Sequence, residues 1–280
     1  MIEFMISRSG DLEIVQRDVP PTVYLDHWAL RRFSENNSLA TRLITALKSQ
    51  NGTLALSWLN VVEFAKMTVE TQARNVENLL EAILPQVFFL EVEPFSVIQR
   101  EDELLAGEPP SAPHADPDFL REFAHAKPMS LSSFTARDLF RAVQDGPLRK
   151  RFENLANSIV GRVQALRYEL DRNSDFRSTV GHLPSGPQIQ RGTRFIFREM
   201  LRTLLVNKQM KITPNHAIDL LHAVVPVAYC NIVLLDKHWE TQVERVRQRF
   251  AAARMRVPMA KVFSGRSNGI DCFLRALEKC

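Results

Sequence analysis

The chain has 280 residues, a formal net charge of +4 at neutral pH, 45% hydrophobic residues and 24% charged residues. This is enough chain for one large domain or two ordinary ones, with the make-up of a soluble globular protein. No apolar run reaches the roughly 18–20 residues needed to cross a bilayer, which argues against a membrane partner. The opening MIEFMISRSGDLEIVQRD carries acids early and lacks an apolar signal core, so a cytoplasmic location is expected. Cys230, Cys272 and Cys280 form no CxxC pair and one must stay unpaired, which speaks against a disulfide framework or a zinc ribbon.

In chain order, Pro20-Pro21 followed by Thr22-Val23-Tyr24-Leu25 predicts a strand opening after a turn, with Asp26 at its carboxyl end. From His27 to Gln50, apolar residues recur at helical spacing, and Asn36-Asn37 divides them into two helices. Asn51-Gly52 marks a turn into a second short strand, Thr53 to Ser57. A helix through Leu59–Met67 follows, with Ser57 or Asn60 as its cap and Glu63 in its first turns. A helical run from Thr71 to Leu84 stops near Pro85, and Val87 to Val92 reads as a third, buried strand.

From about Pro94 to Met200 the pattern is less regular. Glu108–Pro113 and Leu183–Pro187 are loops by composition, and helices are expected over 117–126, 135–145 and 147–172. A parallel α/β core does not need so much helical chain between strands, so 94–208 is expected to be a helical insertion or subdomain. Regular alternation returns with Thr213-Pro214, a cap followed by proline at the first helical position. That helix carries His216, Asp219 and His222, with a kink expected at Pro226. Ile232 to Leu235 is an apolar strand ending in Asp236, and a charge-rich helix comes next. A last strand within Val257–Phe263 and a terminal helix from about Ile270, within a 266–280 segment, complete the reading.

Ligands of parallel α/β sheets gather at the carboxyl ends of the strands. Asp26 and Asp236 each end a predicted strand, while Glu63 and Asp219 sit on helices leading from or into strands. Four carboxylates in one cleft repel one another, and a cation makes the cluster tolerable. Hard oxygen ligands suit Mg²⁺ or Mn²⁺, and such an ion suits attack of water on a phosphodiester.

Three segments resemble the PIN-domain nucleases. Val23-Tyr24-Leu25-Asp26 looks like the family's first strand and first acid, and Val61-Val62-Glu63 like the helix supplying the second. Ile218-Asp219-Leu220-Leu221-His222-Ala223 followed by Ile232 to Trp239 resembles its most recognisable segment. The resemblance covers 20–92 and 210–265. It implies a PIN-like parallel-sheet α/β/α core with a large helical insertion, and a divalent-metal-dependent nuclease, RNA being favoured over DNA. Asp26, Glu63, Asp219 and Asp236 would be both catalytic residues and metal ligands, with His222 supporting them from beneath. One departure stands out: His27-Trp28 occupies the place where the family usually has a small hydroxyl residue. Many simple PIN proteins are toxins held by a small partner. This chain is longer than such a core requires, which leaves room for an inhibitory protein partner, a homodimer or a self-contained enzyme.

Each acid also has a plainer reading. Asp26 is able to cap the following helix, Glu63 to be an ordinary residue of an amphipathic helix, and Asp236 to be a turn residue. Asp219, between Ile218 and Leu220, needs a partner if buried. His216, Asp219 and His222 share a helix face, as a zinc site would require, but lack a third strong nitrogen or sulfur ligand; His222 is better read as packing or hydrogen-bonding under the cleft.

Charge is unevenly distributed. Residues 137–208 hold 14 Lys or Arg against 7 Asp or Glu, 237–256 hold 6 against 2, and 91–122 hold 2 against 9. Arg191, Arg194, Arg198 and Arg202 are spaced along one helix face, and with Lys237 and Arg245 they form a candidate nucleic-acid surface. Solvated helix faces are the alternative, and so is folding of the acidic stretch onto the basic one. A non-catalytic PIN-like module binding RNA or protein is the second functional reading. A haloacid-dehalogenase phosphatase would need an acid where Trp28 stands, and no GxGxxG supports a dinucleotide enzyme.

Overall fold

Short runs too uniformly apolar to face water build the centre of this protein. The computed structural model describes residues 1–6, 12–67, 69–103, 113–116, 119–121, 147–183 and 192–280. Two strands, β1 (Ile2–Ile6) and β2 (Leu12–Gln16), form an antiparallel ribbon ahead of the main sheet. β3 (Thr22–Leu25) is buried along its length and runs into α1 (His27–Ser34) and α2 (Asn37–Ser49). β4 (Thr53–Leu56) leads to α3 (Trp58–Ala65) and α4 (Glu70–Ile83), and β5 (Val87–Phe89) to α5 (Pro94–Glu103). A helical stretch follows, with α6 (Pro147–Arg172), α7 (Ser174–Gly181) and α8 (Gly192–Val206). The chain then returns through α9 (Pro214–Tyr229), β6 (Ile232–Leu234), α10 (Lys237–Ala252), β7 (Lys261–Phe263) and α11 (Gly269–Leu277).

Five of the strands form a wholly parallel sheet in the order β5-β4-β3-β6-β7. The chain winds outward from β3 to β5, then lays β6 on the other side of β3. The winding direction therefore reverses between β3 and β6, and this switch point leaves a crevice beyond the carboxyl ends of those two strands. Helix α9 feeds β6 and is buried along most of its length, from Ala217 to Val227. Such a helix is apolar nearly all round because protein surrounds it. On its outer side pack α5, α6 and α8, whose Val163, Ile196 and Met200 join the same core as the sheet. Helix α11 packs on β6, β7 and α2, placing Phe273 and Leu277 in that core as well.

The α/β reading and the parallel sheet agree with the sequence expectation. Three details differ. The N-terminal ribbon was not foreseen: it is held by tertiary contacts, Ile2 N–H donating to the Pro85 carbonyl and Phe89 N–H to Gln16 Oε1. These bonds place the ribbon beside the β5 edge, where an exposed strand would otherwise invite pairing. β5 and β7 are shorter than the apolar runs that predict them. α5 starts at Pro94, where irregular chain was expected, with proline in its first turn. The helix in which a kink was expected at Pro226 runs through that residue to Tyr229. Of the helices expected at 117–126 and 135–145, only residues 119–121 are described, and the 108–112 and 184–187 loop residues lie outside the described residues, as does Arg191.

Candidate active site

The crevice between β3 and β6 is lined from helix ends whose starts are each fixed by a side-chain cap. Asp26 follows β3 directly, and its Oδ1 accepts the Ala29 N–H at 3.1 Å, starting α1. Asp236 follows Leu235, one residue beyond β6, and its Oδ1 accepts the Trp239 N–H at 2.9 Å, starting α10. The plainer capping role offered for Asp26 is therefore real, and Asp236, offered as a turn residue, is a cap as well. Capping commits one oxygen of each carboxylate and fixes both groups at the mouth of the switch point. Ser57 and Asn60, offered as alternative caps, act together as a capping box on α3. Two turns of that helix then place Glu63. Thr213 and His216 form a second capping box on α9, which carries Asp219 and His222.

His222 organises the site. It is 4% exposed, and its Nε2 lies 2.9 Å from Glu63 Oε2 across 159 residues of chain. Its Nδ1 bonds the fully buried Tyr24 hydroxyl. Tyr24 reaches Ser57 Oγ at 3.3 Å, and Ser57 Oγ bonds Asn60 Oδ1 at 2.9 Å. Asn60 Nδ2 donates to the Leu25 carbonyl at 3.4 Å, one residue before Asp26. With His222 charged, every donor in this chain points the same way: imidazolium to Glu63 and Tyr24, Tyr24 to Ser57, Ser57 to Asn60. Buried networks are stable only when satisfied throughout, as this one is.

Electrostatics bind the four acids to one another. Burial lifts the Asp26 carboxyl to about 8; Asp236 and Glu63 push it further up, against the Ala29 N–H and His222. Burial lifts Asp219 to about 6, reinforced by Asp236 and Glu63 and opposed by His222 and by the Trp239 indole, which hydrogen-bonds it. Burial alone would raise Glu63 too, but the His222 charge and hydrogen bond, with His27 and Lys66, bring it below its ordinary value. His222 is raised: burial disfavours its charge, and Glu63, Asp26 and Asp219 together outweigh that. A single buried cation thus serves three of the four acids. Asp219 has the partner its apolar flanks require, the indole of Trp239.

The two residues that depart from the family pattern, His27 and Trp28, both stand beside the acids. His27 stacks on Phe64 with ring centres 4.8 Å apart, and its buried Nδ1 lies 3.9 Å from Glu63 Oε2 without a hydrogen bond. Burial lowers its pKa, with Glu63 opposing. Trp28 lines a hollow of about 610 Å³ with Asp236, Lys237, Gly265, Arg266 and Ser267. A side chain at Gly265 would begin 3.2 Å from the Trp28 ring. The Ser57-x-x-Asn60 spacing and the hydrogen-bonding role of His222 were legible, but no local signal marks Tyr24 and Glu63 as the partners of His222.

Comparison with known proteins finds no family model, curated protein or solved structure that matches this chain.

Among the described residues no three His, Cys, Asp or Glu side chains form a ready-made metal cage. The candidate donors Asp26, Glu63, Asp219 and Asp236 are hard carboxylate oxygens, the type that suits Mg²⁺ or Mn²⁺. His216 and His222 offer no zinc pair, because His216 Nδ1 bonds Thr213 and both His222 nitrogens are engaged.

The predicted nucleic-acid residues do not form one surface. Arg194 pairs with Asp102, so part of the acidic 91–122 stretch does fold onto the basic one. Arg198 donates to the Thr179 and His182 carbonyls at the end of α7. Arg167 likewise bonds the Leu204, Asn207 and Met210 carbonyls, and Arg177 those of Leu170 and Asp171. Much of the surplus of arginine closes helix C-termini, where carbonyls lack partners and the dipole favours positive charge. Arg202 and Arg245 line a separate hollow between α8 and α10, and Lys237 lies beside Asp236. Among the described residues no helix is long and apolar enough to cross a membrane.

Proposed function

We propose that this protein is a PIN-like, divalent-metal-dependent nuclease acting on RNA. What supports the reading is that Asp26 and Asp236 follow the two neighbouring strands at the switch-point crevice, and that Glu63, on the helix after β4, is hydrogen-bonded to the buried His222 of the helix that also carries Asp219. These four carboxylates would hold Mg²⁺ or Mn²⁺. The chemistry that such an ion supplies is a more acidic bound water and charge stabilisation on a phosphoryl oxygen.

The chain's own residues have separable tasks. Asp26 and Asp236 are aimed by their cap bonds. Glu63 is held by His222, and His222 by the Tyr24–Ser57–Asn60 chain, an outer shell that fixes a ligand's orientation. Asp219 is steadied by Trp239. Lys237 and Arg266 line the hollow beside Asp236, giving a phosphodiester backbone cationic contacts next to the acids. The Trp28 ring in that hollow offers a surface on which a base could stack. RNA is favoured over DNA by the family resemblance.

A second reading, a PIN-like module that binds RNA or a protein without cleaving, is supported by the lack of a ready cage and by His27 crowding Glu63. Labelled single-stranded RNA and DNA incubated with Mn²⁺, Mg²⁺ or EDTA, beside Asp219→Asn, separate the two. Cleavage that needs metal and vanishes in the variant supports the nuclease. RNA binding without cleavage and without Mn²⁺ binding overturns it in favour of the scaffold.

A further inference from the structure

The two residues after Asp26 face different ways. His27 turns toward Glu63 and Phe64 on α3, and Trp28 toward Asp236 and the turn between β7 and α11. The hollow beside Trp28, about 610 Å³ in volume, falls in the range of small-ligand sites. Trp28 is partly exposed, yet its indole Nε1 is sealed off, so the side chain shows carbon ring to the hollow. Glycine at 265 leaves that ring uncovered, since a side chain there would begin 3.2 Å from it.

Two cations border the same ring. Lys237, the first residue of α10, is exposed and has no ion pair among the described residues. Arg266 is exposed on a braced turn. Its backbone N–H donates to Ser264 Oγ at 3.3 Å and its Nη2 to Thr241 Oγ1 at 3.0 Å, while Ser264 Oγ donates to Glu240 at 2.7 Å. Its Nε lies 3.9 Å from Glu240 Oε2, a loose pairing that leaves the guanidinium open to solvent. An aromatic face beside cations is the arrangement that holds unpaired nucleotides: bases stack on the ring whatever the sequence, and phosphates follow the charge. A free phosphate would make no use of the ring. A base inside a duplex has both faces covered by its neighbours. Building on the nuclease reading above, we propose that this hollow takes one unpaired nucleotide beside the bond to be cleaved. Its base lies on Trp28 and its phosphate between Lys237 and Arg266, which makes single-stranded RNA, and not duplex, the substrate.

The other two tryptophans, Trp58 and Trp239, are 0% and 2% exposed, so Trp28 is the one whose fluorescence a stacked base would quench. The full chain is titrated in Ca²⁺, a hard cation that carboxylates hold, with an oligouridylate, the same strand annealed to its complement, and an abasic strand of equal length. The oligouridylate is expected to quench the fluorescence and to bind at least about tenfold more tightly than the other two. With a labelled strand, Trp28→Leu should weaken binding about tenfold and Trp28→Phe less. Gly265→Leu, an exposed change that covers the ring without removing it, should match Trp28→Leu. Equal binding of the three strands, no quenching, or an affinity unmoved by Gly265→Leu would overturn the subsite; Mn²⁺-dependent cleavage persisting beside that result would leave the nuclease reading standing. Quenching with the expected strand preference but no cleavage in Mn²⁺ would overturn the nuclease reading and keep the subsite, as part of a binding module.

Discussion

The crevice beyond β3 and β6 and the hollow between α8 and α10 are two buried charge clusters of opposite imbalance. In the first, the buried His222 serves three of four acids; in the second, Arg249 pairs with one buried acid, Glu199, and Arg202 and Arg245 line the same hollow. Neither imbalance helps the protein fold, because a buried charge is tolerated only when paired and hydrogen-bonded. On the function proposed above, the crevice would take a cation, whereas the hollow is lined by an excess of arginine. A contrast is provided by Arg42 and Arg275, which meet Asp271 and Glu278 in a knot open to solvent, two positive charges against two negative.

The largest expected effect would break the crevice. Asp219→Asn should lower metal-dependent RNA cleavage by at least about 100-fold, the upper end of what outer partners of a metal site cause. A circular dichroism melt should show the variant folded. Activity within a few-fold of the parent would remove Asp219 from the site.

Next in size is the internal cation. His222→Ala leaves Glu63 and two further acids without their buried counter-charge and should destabilise the fold by about 2–4 kcal/mol. In urea denaturation, His222→Ala and Glu63→Gln together should cost less than the sum of the two single changes, since they remove one shared interaction. Strict additivity would mean that the pair is not coupled.

A pH titration sharpens the comparison further. Asp26, at about 8, and Asp219, at about 6, are both raised in the fold above their ordinary values. A raised group contributes stability below its unfolded pKa, and that contribution is lost as pH rises through the folded value. His222, also raised, loses its contribution in the same direction. Metal-free protein should therefore become less stable from about pH 4 to 8, with Asp26 alone giving at most about 1.4 kcal/mol per pH unit. Asp26→Asn should flatten the profile. Added Mn²⁺ should raise the melting temperature more at pH 8 than at pH 5.5, because binding releases the protons. Equal Mn²⁺ effects at both pH values would count against carboxylate coordination.

The smallest effect is expected at the exposed knot. Arg42→Ala should change stability by no more than about 1 kcal/mol, the effect shrinking further in 1 M salt. A much larger loss would show that open, balanced charges matter here as much as the buried, unbalanced ones.

Local chemistry made a good part of this fold legible. Thr22–Leu25 and Ile232–Leu234 are apolar enough to demand burial on both faces, and the break at Asn36 coincides with that residue's cap on Leu39. Thr213-Pro214 starts α9 where its cap and proline predict. The N-terminal ribbon was not legible, because distant residues such as Pro85 and Phe89 hold it in place. The arginines misled for a related reason. Spacing along α8 shows that Arg194, Arg198 and Arg202 share a helix, but not that a carboxylate waits for the first, two carbonyls for the second and a half-filled hollow for the third.

By itself, the sequence determined the α/β alternation, the capped helix starts and the positions of Asp26 and Asp236 after their strands. Each of these depends on residues within a few places of one another. Tertiary structure decided that β6 lies beside β3, making those two acids neighbours across a switch point. It also decided that His222 meets Glu63 across 159 residues, and that Glu199 is sealed against Arg249. Long-range pairings of this kind depend on which faces pack together, and only the assembled core sets that.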